Sequence, residues 1–123
     1  MTAPLVAGLV FVVAVVFGTG LALTRSGRPF GTVLLTIHKL VAHAAVVVVG
    51  VLAYQQGRVA PFSALEWSAT AVAGLLYVVS FASGVAVSAK HDAPAWVVRA
   101  HRIGSWLAGV AVTAVVYLLA TRG

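Results

Sequence analysis

Cysteine is absent from this 123-residue chain. That excludes disulfides, thiolate metal sites and cysteine-ligated iron–sulfur clusters. Charge is nearly as scarce: only 8% of residues are charged, against the roughly 25% usual for a soluble domain. Carboxylates are rarest of all, with Glu66 and Asp92 the only two. The glycine-rich stretches lack the Gly-x-x-x-x-Gly-Lys spacing that cradles a phosphate.

What fills the chain is apolar sequence, 62% by composition. Runs long enough to cross a bilayer recur four times, at about residues 4–23, 32–54, 64–89 and 94–120, where about 20 residues suffice. Their Ala, Val and Gly content is apolar all round, which excludes amphipathic helices on an aqueous core. The first run has no basic n-region and no evident Ala-x-Ala-like site, so it is expected to stay as a helix rather than serve as a cleaved signal. The loops are too short for a soluble domain. The expected fold is all-α: one transmembrane domain over residues 1–123, an up-down four-helix bundle of two helical hairpins embedded in the lipid bilayer.

Local signals punctuate these runs. Thr24-Arg25-Ser26-Gly27-Arg28-Pro29 breaks the first with turn and charge chemistry. The second is expected to end at Tyr54-Gln55-Gln56-Gly57-Arg58. Ser63-Ala64-Leu65-Glu66 opens the third with a capping box, and Pro94 suits the first turn of the fourth. Trp67, Trp96, Tyr54 and Tyr117 fall near helix ends, as interfacial anchors do.

The net charge of +6 does not point to nucleic acid, because the basic residues are sorted by membrane face. Arg25, Arg28, Lys39, Lys90, Arg99 and Arg102 gather around the first and third loops, while Arg58 and Arg122 lie at the other end. The positive-inside rule then puts the 1–2 and 3–4 loops in the cytoplasm and both termini outside it, in the cell's inner (plasma) membrane. Glu66 and Asp92 fall at opposite faces, so they form no acid–base pair. No acid lies mid-span, so a proton-coupled transporter would lack its usual relay.

An internal repeat carries the chemistry. Thr19-Gly20-Leu21-Ala22-Leu23-Thr24 precedes His38-Lys39-Leu40, and Ser83-Gly84-Val85-Ala86-Val87-Ser88 precedes His101-Arg102-Ile103. Gly20 to His38 is 18 residues and Gly84 to His101 is 17, so one gap aligns the copies. His38 and His101 each stand seven residues after an expected helix start, Gly31 or Pro94, or about 10 Å along a helix. Duplicated hairpins related by a pseudo-two-fold axis bring such residues to matching depths.

Ionisable residues inside membrane helices are functional candidates by default, and neutral imidazole is a good ligand for haem iron. On this reading His38 and His101 hold a haem b between them. Gly20 and Gly84, with Gly18 and Gly104, would let the macrocycle approach the backbone, and Lys39, Arg102 and Arg99 would neutralise its propionates. The competing reading makes both histidines interfacial hydrogen-bonding residues and the glycines packing residues.

A possible second site involves His43 and His91. His43 aligns with Trp106 and points about 140° away from His38, so it is either a partner for a quinone carbonyl or other cofactor, or a helix–helix hydrogen bond. His91, beside Asp92, is a solvated loop residue or a contact at the haem rim. Ser80, Ser83, Ser88 and Ser105 show no acid–histidine pattern and read as packing hydroxyls.

On His38-Lys39, His101-Arg102, the Thr19-Gly20 and Ser83-Gly84 pairs and the basic loops, the chain resembles the cytochrome b561 and ferric-reductase-like group of four-helix membrane cytochromes. That group commonly carries a second ligand further along the same helix. Here, thirteen or fourteen residues after His38 stand Val51 and Leu52, and after His101 stand Ala114 and Val115. The pattern therefore implies one b-type haem, near the cytoplasmic side.

The expectation is a small membrane cytochrome, an electron-transfer subunit exchanging electrons with quinone or a partner redox subunit, as a homo-oligomer or within a larger complex. The alternative is a non-catalytic accessory subunit, binding a chlorophyll-type pigment through one histidine. A transporter or channel is the weakest reading, because no polar pathway can be traced.

Overall fold

The computed structural model describes residues 3–89 and 92–122. These form four helices and, among the described residues, no strand: α1 (Ala3–Ser26), α2 (Thr32–Val59), α3 (Ala64–Ala89) and α4 (Ala95–Ala120). All four are long and apolar enough to cross a membrane, α1 being the shortest at 24 residues, or about 36 Å. Their outer faces carry exposed Phe11, Leu40, Val47, Leu75 and Val110, side chains whose natural solvent is lipid rather than water.

Two units make up the chain, Met1–Pro61 with Leu119–Gly123, and Phe62–Leu118. In the first, α1 packs on α2. In the second, α3 and α4 form the corresponding hairpin, with Gly104 of α4 facing Ser80 of α3.

The helix ends show where local chemistry governs. The α1 helix runs three residues past the expected Leu23. Thr24 Oγ1 donates to the Gly20 carbonyl at 3.0 Å and Ser26 Oγ to that of Leu23 at 3.0 Å, so these hydroxyls bond back along the helix instead of opening a turn. The helix stops at Gly27, whose φ of +72° is left-handed, a backbone that glycine adopts without Cβ strain.

The α2 helix continues five residues past Tyr54, through Gln55-Gln56-Gly57-Arg58-Val59. Its exit is held by Arg122, whose Nη1 donates to the carbonyls of Gln56 (3.1 Å) and Ala60 (3.3 Å) and whose Nη2 donates to that of Pro61 (2.8 Å). A cation on the last carbonyls of a helix satisfies orphan acceptors and complements the dipole.

The α3 helix opens with the expected capping box. Backbone N–H and Oγ of Ser63 both donate to Glu66 Oε2, at 2.7 and 2.8 Å, and the Glu66 N–H donates back to Ser63 Oγ at 3.3 Å. Glu66 is thereby buried yet bonded. Phe62 meets Trp67 edge-to-face across the same corner, with centroids 5.4 Å apart. The α4 helix begins at Ala95, and Pro94 stands just before it, its carbonyl accepting from the N–H groups of Val97 and Val98 at 2.9 and 3.3 Å.

Candidate functional site

The two hairpins build the same local arrangement around their histidines. In the first, Thr19 Oγ1 donates to the carbonyls of Val15 (2.8 Å) and Val16 (3.0 Å) and lies 3.0 Å from Nδ1 of His38. In the second, Ser83 Oγ donates to those of Val79 (2.7 Å) and Ser80 (3.1 Å) and lies 3.3 Å from Nδ1 of His101. The aligned residues of the sequence repeat are therefore aligned in contact as well. The histidine of each second helix reaches back to the hydroxyl of the first.

Glycine makes this reach possible. A Cβ on Gly20 would stand 3.2 Å from Cε1 of His38, and one on Gly84 only 2.8 Å from Cε1 of His101. Each imidazole thus occupies the space that a side chain would fill. Both glycines seat the histidines of their own hairpins. Nothing lies within 4 Å of a Cβ built on Gly18.

In the second copy a backbone carbonyl also takes part. Nδ1 of His101 donates to the Ser80 carbonyl at 2.9 Å. A carbonyl accepts only, so the proton of neutral His101 is on Nδ1 and the lone pair on Nε2. Nearby, a Cβ on Gly104 would meet Ser80 Oγ at 3.1 Å, and that buried hydroxyl has no partner among the described residues. The repeat places Val16 and Val41 where Ser80 and Gly104 stand, so this detail belongs to the second hairpin alone.

His38 and His101 are both half-buried, whereas Lys39, Arg99 and Arg102 are exposed. Within the first unit, Arg25, Arg28 and Lys39 cluster toward the α1–α2 loop; within the second, Arg99 and Arg102 lie in the first turns of α4. Arg28 stacks over Phe30, with 5.6 Å from Cζ to the ring centroid. His43 is exposed, its Nδ1 donating at 2.6 Å to the carbonyl of Lys39 one turn earlier. His91 and Lys90 lie outside the described residues.

Among the described residues, no group of three or more His, Cys, Asp or Glu side chains converges as a metal site. The hydroxyl contacts to Thr19 and Ser83 were legible only as aligned residue types, not as bonds. No protein-family model, curated protein or solved structure matches this chain.

Proposed function

We propose that this chain is a small membrane b-type cytochrome, distantly related to the cytochrome b561 and ferric-reductase-like group, whose haem would be held by His38 and His101. The observation that carries the reading is the duplicated seat: a hydroxyl and a glycine on one helix hold a half-buried imidazole of the next, once in each hairpin. Neutral imidazole is a good ligand for haem iron, and each hairpin supplies one.

A haem held by His38 and His101 would supply one-electron transfer. The chain's own residues set the conditions for it. His38 and His101 supply the two nitrogens, and the apolar helices keep water out and the dielectric low. Lys39, Arg99 and Arg102, exposed one or two residues from the histidines, offer positive charge to propionates. The basic residues also orient the chain, with the α1–α2 and α3–α4 loops cytoplasmic and both termini outside in the plasma membrane. Transfer across the whole bilayer needs a further redox centre, which favours a membrane quinone, a partner redox subunit or an oligomer.

The test is a dithionite-reduced minus oxidised absorption spectrum of the protein purified in mild detergent. Sharp α and Soret bands at one haem per chain are expected, and are expected to vanish in both His38→Ala and His101→Ala. Loss in only one variant overturns bis-histidine ligation. A far-red pigment spectrum moves the chain to an accessory, pigment-binding role, and a featureless spectrum after growth with haem precursor removes the cytochrome altogether. A C-terminal reporter active only in the cytoplasm overturns the orientation.

A further inference from the structure

The mouth of the α1–α2 hairpin holds two arginines that the electron-transfer reading does not use. Arg25 stands in the last turn of α1, and Arg28 follows it across the left-handed Gly27. Both are exposed. Arg28 lies over the Phe30 ring, 5.6 Å from Cζ to the centroid, a cation–π contact that ties the guanidinium to the loop. Among the described residues, the Arg25 side chain makes no hydrogen bond or ion pair. At the opposite end of the same unit, by contrast, Arg122 gives its N–H groups to three carbonyls of the chain.

This unit has no acidic side chain to answer its charge. Its residues, Met1–Pro61 and Leu119–Gly123, include no Asp and no Glu. The chain's two acids, Glu66 and Asp92, both fall in Phe62–Leu118. Glu66 is buried in the α3 cap, and Asp92 has Lys90, Arg99 and Arg102 in its own unit. Lys39 adds a third exposed cation on the Arg25 side of the hairpin. Its neighbour His38 meets Thr19 and Gly20, which sets Lys39 five or six residues deeper than Arg25, about 8–9 Å along α1.

We infer that Arg25 and Arg28 form a site for the phosphate of an anionic phospholipid at the membrane surface. A spanning helix places its last turn among the lipid headgroups. Arginine suits a phosphodiester there because its planar fork of donors matches two phosphate oxygens. A zwitterionic lipid offers the same phosphate but brings its own cation, which the arginines and Lys39 repel. The preference is therefore for a headgroup of net negative charge. Each cation near an anionic surface is worth about fivefold in affinity, so the two arginines together account for about 25-fold. Lys39, set deeper, adds to the field rather than to the contact.

The inference stands apart from the haem reading, and haem bands, present or absent, change none of its outcomes. The full-length chain in a non-ionic detergent is titrated with phosphatidylglycerol and, separately, with phosphatidylcholine of the same acyl chains. Native mass spectrometry counts the bound lipid. Phosphatidylglycerol is expected to bind at least about tenfold more tightly. Arg25→Gln and Arg28→Gln are each expected to lower that preference about fivefold, the double variant to abolish most of it, and Lys39→Gln to lower it less than either. Arg58→Gln, the same charge change at the opposite end of α2, is expected to leave it unchanged.

Equal affinity for the two lipids overturns the inference, as does a preference that survives intact in the double variant. An equal loss in Arg58→Gln shows that net charge alone attracts the lipid, and overturns the site. Displacement of phosphatidylglycerol by millimolar inorganic phosphate assigns the arginines to a free anion and overturns the lipid. Far-UV circular dichroism reports the helix content of each variant. Should the double variant lose helix, the single variants decide, and a preference unchanged in both overturns the inference.

Discussion

His101 lies closer to Gly84 than His38 does to Gly20: the nearest ring carbon would be 2.8 Å from a Cβ at position 84 and 3.2 Å from one at position 20. The difference decides how each site answers the same substitution. At Gly84 the imidazole must move aside, and moving breaks its bond to the Ser80 carbonyl. Overpacking of this kind costs about 1–3 kcal/mol and the lost hydrogen bond about 1 more. Alanine's helix propensity returns about 1. Gly84→Ala is therefore expected to destabilise the protein by about 1–3 kcal/mol in detergent-based unfolding. At Gly20 a shift of a few tenths of an ångström suffices, and Gly20→Ala is expected to fall within about 1 kcal/mol of the parent, the propensity gain offsetting the milder crowding. Equal losses at both sites would show that the imidazole seats do not differ in tightness.

The α3 capping box offers a second check. Ser63 and Glu66 satisfy one another at 2.7, 2.8 and 3.3 Å, and Glu66 is only 8% exposed. Ser63→Ala is expected to cost about 1 kcal/mol, as cap deletions do. Glu66→Ala is expected to cost more, because it removes the acceptor for two donors at once. Glu66→Gln keeps an acceptor oxygen in place and is expected to lose less than either. Thermal unfolding of the three variants gives the order, and a Glu66→Gln loss as large as that of Glu66→Ala would show that charge rather than acceptor geometry holds the corner.

Arg122 spans three carbonyls at the exit of α2, at 2.8–3.3 Å. Charge-assisted bonds at a partly exposed site warrant the lower end of their range, so Arg122→Ala is expected to cost about 1–2 kcal/mol. The effect is expected to be local, with faster amide exchange from Gln56 to Ala60 and little change near Thr19. Arg122→Lys brings one ammonium where a planar fork reaches several acceptors, and is expected to recover less than half of the protection. Uniform acceleration along the chain would contradict a local cap.

These cases also show what was legible in the residues. The number and class of the helices follow from apolar runs, and α3 is bounded as expected, Ala64–Ala89, because its start is a local bonding pattern. The end of α2 was read five residues short at Tyr54. Gln55, Gln56 and Arg58 are polar, but they are good helix formers, and the guanidinium that caps them comes from Arg122, far away in sequence. Thr24 and Ser26 were read as turn chemistry, yet a hydroxyl can as readily bond back to a helical carbonyl. At the site, the repeat identified Thr19, Gly20 and His38 and their copies Ser83, Gly84 and His101 as a set. That the imidazole fills the glycine's own space depends on how close two helices pack, which periodicity does not encode.

His43 separates a ligand role from a substrate role. It is exposed, and its Nδ1–H is given to the Lys39 carbonyl of its own helix at 2.6 Å. Five residues after His38, its ring leaves α2 about 140° around from the proposed ligand. A residue so placed is not needed to hold a haem through His38, so His43→Ala is expected to keep the reduced-minus-oxidised spectrum and haem stoichiometry unchanged. Its exposed ring is accessible to a substrate, and a quinone carbonyl is the partner that the proposed electron transfer would supply. Losing one such hydrogen bond is worth about 1.4 kcal/mol at most, or tenfold. Reduction of the haem by a soluble quinol is therefore expected to slow several-fold in His43→Ala while reduction by dithionite does not. Equal quinol rates in parent and variant would place the quinone contact elsewhere on the chain.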